Sequence, residues 1–145
     1  HAGDEVEILE AAIEEGCIGE SLAAVQAEWC ASFAADPAIR DALSTIAEDE
    51  GNHALLAWRF VDWMLEQRPH LVPVAEAAFE RARMPREIPW ALGINELERE
   101  GLRHGYLSEA LESTIRIRAY NHVVVPCIKA LLDKHGVENA PLFVS

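Results

Sequence analysis

The chain has 145 residues, half of them apolar, and a formal net charge of −13. That length and apolar share suit one compact domain with a sizeable core. The acidity excludes nucleic acid, whose phosphates it would repel, and favours cations instead; no apolar run reaches the ~18 residues of a membrane span.

The chain opens on His1 with no signal-type apolar segment, so a preceding piece is expected to have been removed or to lie upstream. Asp4-x-x-Glu7 has capping-box spacing and predicts a helix from there to about Ala35. Asp36-Pro37 ends that helix and begins the next, with Asp36 as N-cap and Pro37 at the first helical position. The second helix is expected to run to about Gln67, where the approach to Pro69 stops it. A short helix fits from Pro73 to Arg83, followed by a proline-rich connection from Met84 through Trp90. Asn95-x-x-Glu98 caps another short helix ending at His104, with Gly105 in the left-handed position. Ser108 opens the last helix, which runs to about Gly136 and is kinked at Pro126.

No alternation of strand length occurs, so the expectation is a single all-α domain over residues 1–145. Residues 4–67 form its helical hairpin, and 70–145 its shorter helices and C-terminal helix. Almost nothing joins the two long helices, so they must lie antiparallel.

Glu50-Gly51-Asn52-His53 is a Glu-x-x-His step on the second long helix. With 19 Glu and 6 His in the chain, about one such step is expected by chance, so its surroundings decide its meaning. Around the first helix at 100° per residue, Ile13, Gly16, Cys17, Ala24, Ala27 and Ala31 share the face of Glu20. Around the second, Ile39, Leu43, Ile46, Ala47, His53, Ala54, Ala57, Val61 and Met64 share the face of Glu50, while Glu48 points away. Both acids therefore fall where the core is expected. Height agrees: at 1.5 Å per residue, Glu20 lies about 24 Å from the turn, Glu50 about 21 Å and His53 about 25 Å.

A single Glu facing a Glu-x-x-His pair is half of the carboxylate di-iron or di-manganese arrangement of four-helix bundles. A buried unpaired carboxylate costs several kcal/mol, on the order of what unfolds a site. A bound cation removes that cost and keeps the acids ionised. Oxygen ligands with one imidazole suit iron first and manganese second; zinc is compatible, and copper and nickel usually recruit more nitrogen or sulfur.

On Glu20, Glu50, His53 and the Asp36-Pro37 turn, residues 10–66 resemble the ferritin-like superfamily, most closely the two-helix encapsulated ferritins. The resemblance implies that these three residues are iron ligands, with Glu50 bridging and His53 terminal. It implies ferroxidase chemistry at a di-iron site, or related oxygen activation on an organic substrate, with no catalytic group beyond the ligands. The chain has one Glu-x-x-His, hence one half-site; Glu100-x-x-x-His104 has the wrong spacing. Two completions stay open: a homodimer or higher oligomer pooling its ligands, or an N-terminal half carrying the other hairpin. The reading from a different class is a metal-free helical interaction module.

The remaining polar and aromatic residues read as structure. Cys17 and Cys30 lie about 20 Å apart along one helix and cannot pair, and no Cys-x-x-Cys occurs. All three cysteines, Cys127 included, read as small buried hydrophobes. Trp29, Trp58, Trp63 and Trp90 read as packing. His122 with Arg116 and Arg118 reads as a solvated or interface face, and Glu96, Glu98 and Glu100 as a solvated one. His70 and His135 read as helix caps. No nucleophile stands beside a base.

Overall fold

The computed structural model describes residues 2–86 and 94–138, and every secondary-structure element among them is helical. The first rod begins at Ala2, earlier than the capping-box spacing predicts. Asp4 and Glu5 sit inside the first turn of α1 (Ala2–Ala11), where acids offset the exposed N–H groups through the helix dipole. The rod then runs through a π-helical segment, Ala12–Glu20, into α2 (Ser21–Phe33). The backbone stays right-handed helical at Ala11, Glu20 and Ser21, so the axis is not broken. The expected uninterrupted α-helix is thus corrected to an α–π–α rod.

The turn forms as its residue types dictate. Ala34 swings to an extended conformation, and the Asp36 carboxylate accepts from Ala38 N at 2.8 Å. Arg40 reaches back to the Ala34 carbonyl at 2.9 Å, and Ala35 N donates to the Arg103 carbonyl at 2.9 Å. From Pro37 the chain returns as α3 (Pro37–Gln67).

A 3-10 turn (Pro69–Leu71) leads into α4 (Val72–Arg81), slightly earlier than expected. Of the proline-rich connection, Met84 to Arg86 is non-helical; Trp90 lies outside the described residues. Asn95 and Glu98 make both bonds of a capping box (2.7 and 3.2 Å) at the start of α5 (Glu96–Arg103). Gly105 follows with φ +80°, a conformation that favours a residue without Cβ.

Ser108 caps α6 (Glu109–Ala119), which passes through a second π segment, Tyr120–Val124, into α7 (Val125–Lys134). Pro126 is in the first turn of α7. A proline there lacks its N–H and crowds the carbonyl four residues back, and the π segment just before it takes up the misfit.

The first rod is the axis of the molecule. It contacts α3 along one side, α4 near its start, and α6 with the second π segment along its length. Its buried Leu9, Ile13, Cys17, Ile18 and Leu22 share one core with Ala75, Ala78 and Phe79 of α4 and with Val124, Ile128, Leu131 and Leu132 of the C-terminal helices. A second, smaller core of Cys30, Leu102, Leu111 and Ile115 closes the turn end. α3 is an edge. Of its 31 residues only Ala54, Val61, Met64 and Leu65 are buried.

At the far end, α7 is tied to α3 by polar contacts. Lys134 Nζ meets Asp62 at 2.6 Å and Glu66 at 2.9 Å, and the His135 ring meets Asp62 at 2.7 Å. His135 is the C-cap of α7, but its ring works across the bundle. His70 lies 3.8 Å from Glu5 in the cluster that Arg68 forms at the start of the first rod.

Candidate metal centre

Three side chains from two rods converge at mid-height of the hairpin. Glu20 is the last residue of the first π segment, and Glu50 and His53 lie one turn apart on α3. One donor atom from each of the three lies within 4.8 Å of the other two. Antiparallel rods and equal distance from the turn produce this meeting, as the rise per residue requires.

Its surroundings differ from the sequence expectation. Glu20 and Glu50 are half-buried and His53 is exposed, so the trio sits on the edge of this chain and not inside its core. Ile46, expected on the buried face of α3, is 48 % exposed. The first rod covers part of the wheel's apolar face, burying Ala54, Val61 and Met64, and leaves its edge at Ile46 and His53 open.

Within that setting one atom is out of place. Glu50 Oε2 is shielded from solvent and has no hydrogen-bond partner. A carboxylate oxygen in that condition costs about 1–3 kcal/mol or more unless something charged or donating meets it. The donor set, two carboxylates and an imidazole at common reach, fits a hard or borderline cation. Beside it, between α2 and α3, a groove of about 390 Å³ is lined by Ala24, Glu28, Ala31, Ser44, Ala47, Glu48 and Gly51. Small side chains leave that space, and Glu28 and Glu48 give it a negative rim.

The other candidates separate cleanly. Glu100 and His104 meet at 3.2 Å on an exposed face and join no third donor among the described residues. Cys17 is fully buried; burial, with Cys127 adding to it, pushes its thiol up to about 12, so it stays protonated and a poor ligand. Burial also raises the thiols of Cys30 and Cys127.

The close fit between the rods near the trio carried less sequence signal. A Cβ on Gly16 would meet Ala57 Cβ at 2.5 Å, so the rods approach as only glycine permits. Trp58 Nε1 donates to Ser21 Oγ at 3.2 Å across the same seam. Gly16 and Ala57 fall on the ligand-bearing faces of the two wheels, but their contact was not read from the sequence, and nothing announced the second.

Compared with protein-family models, with curated proteins and with solved structures, the chain matches none of them.

Proposed function

We propose that this chain is a ferritin-like iron-binding protein whose reaction is oxidation of ferrous iron. The observation that carries the reading is the convergence of Glu20, Glu50 and His53 around an oxygen, Glu50 Oε2, that is buried and unpartnered. Ferrous iron would be the substrate, held by these three residues while each ion gives one electron to dioxygen or peroxide; manganese is the second candidate for the same donors. Glu50 would offer two oxygens as the bridging carboxylate, Glu20 would close the site from the opposite rod, and His53 would give the nitrogen.

One chain presents half of a dinuclear site. The exposed face of α3 supports completion by a second helical pair, since Ile46, Leu56, Phe60 and Trp63 leave an apolar stripe flanking His53. That pair comes from a second copy in a homodimer or higher oligomer, or from a further hairpin in a longer chain. The same stripe favours a second reading: a metal-free helical module whose α3 face serves assembly alone.

Metal analysis of protein prepared without chelator separates them. The first reading expects about one iron or manganese per chain, lost in Glu50→Ala and in His53→Ala with the helical fold retained. Folded protein that carries neither metal and takes up neither on addition leaves the second. Solution mass decides the completion within the first reading, because a strict monomer of this chain builds no symmetric pair of ions.

A further inference from the structure

We infer that Trp58 is a positioning residue for the Glu20–Glu50–His53 set, acting through Ser21 and the end of the first π segment. The inference rests on the metal reading above and adds to it what sets the height of Glu20 against its partners.

Trp58 is held at two places. Its ring stacks on the buried Phe79 of α4, centroids 5.9 Å apart and planes 8° from parallel. Its Nε1–H donates to Ser21 Oγ at 3.2 Å, and Ser21 is itself buried. Ser21 is the residue after Glu20 and the first of α2. Trp58 follows His53 by just over a turn on α3. One hydrogen bond therefore joins the residue beside a ligand on one rod to the turn beyond a ligand on the other.

The pin is needed because Glu20 ends a π segment. Bonds from i to i+5 take in an extra residue, so the position of Glu20 along the rod depends on where the π bonding stops. Ser21, tied to α3, fixes that point. One turn earlier Gly16 touches Ala57, so the first rod is held against α3 on either side of Glu20. A metal site tolerates errors of only about 0.2 Å in its ligand distances, which a slipped register would exceed.

A purely structural role predicts a different result from a positioning one. The ring of Trp58→Phe keeps the stack on Phe79 and loses only the donor; Ser21→Ala loses only the acceptor. Titration of the 145-residue chain with cobalt(II), followed by the visible absorption of the bound ion, reads affinity and geometry, while the melting temperature of apoprotein reads the fold. Both single variants are expected to bind cobalt at least about tenfold more weakly with a changed absorption band. The double variant is expected to be no weaker than either, and Ser21→Thr, which keeps the hydroxyl, to bind as the parent does. Should Trp58→Phe destabilise the fold, Ser21→Ala carries the same test, since alanine is the best helix former. Parent-like affinity and spectrum in folded Ser21→Ala overturn the positioning role and leave the metal site standing. A parent chain that takes up neither cobalt, iron nor manganese overturns both.

Discussion

The two rods of the hairpin have comparable lengths and opposite situations. α2 buries Ser21, Leu22, Ala27, Cys30 and Ala31 in 13 residues, because helices lie on more than one side of it. α3 buries four residues in 31 and leaves Leu56 67 % and Trp63 51 % exposed. The first rod therefore belongs to the core of this chain, and the second is its open edge. The candidate donors straddle that division: Glu20 comes from the enclosed rod, Glu50 and His53 from the open one. An ion held there would tie the edge to the core, and would itself be open to whatever covers α3.

The contrast can be broken from either side. The largest effect is expected at Phe79, fully buried under the first rod: Phe79→Ala should cost about 3–5 kcal/mol in chemical denaturation. Closing the seam between the rods comes next. Gly16→Ala places a methyl 2.5 Å from Ala57 Cβ and should cost about 1–3 kcal/mol, with metal affinity falling as well. Gly16→Ala combined with Ala57→Gly should recover both, and failure to recover would deny that this contact sets the spacing.

A smaller effect concerns the tie between α7 and the edge rod. The Lys134 ammonium, with help from the His135 ring, holds the Asp62 carboxyl below its usual range against the opposing pull of burial. A depressed folded value means that the stabilisation is present above the ordinary carboxylate range, and is lost as pH falls through and below it. Asp62→Asn should therefore lower the melting temperature at neutral pH and converge with the parent well below about pH 4, where that stabilisation is already gone, so that the acid limb of its profile is flatter. The smallest effect is expected on the open face. Leu56→Ser should alter the stability of an isolated chain by no more than about 0.5 kcal/mol, yet weaken any assembly that buries the stripe. Equal losses at Phe79 and Leu56 would erase the distinction between the rods.

Much of the hairpin was legible because its signals are local or arithmetical. Asp36-Pro37 and Asn95-x-x-Glu98 cap helices by short-range hydrogen bonds that the residue types alone specify. The meeting of Glu20 with Glu50 and His53 needed only a turn position and a fixed rise. The rest depended on information that no window of sequence holds. The π segments have no distinctive composition, and each slips the helical wheel, so phases before Ala12 do not carry through to Glu20. Periodicity also finds an apolar face without saying what lies against it. Ile46 looks like a core residue on a wheel; it is exposed because α4 and α6 pack on the other rod. Asp4 fails as a cap for a simpler reason: the helix had already begun at Ala2.

The π-helical stretch has a bearing on how this chain can vary. Excising a single residue from it, Gly19 for instance, would let ordinary i to i+4 bonding run the whole way, a locally favourable repair. Since the wider bonding is what takes in the extra residue, Leu9 and Leu22 on either side would keep their seats in the core, and the change would be confined to the stretch from Ala12 to Glu20. Losing a residue there would spare the packing and fall on the segment that ends in a candidate ligand. Homologues aligned to this chain should tolerate a one-residue gap in that stretch more readily than elsewhere along the first rod.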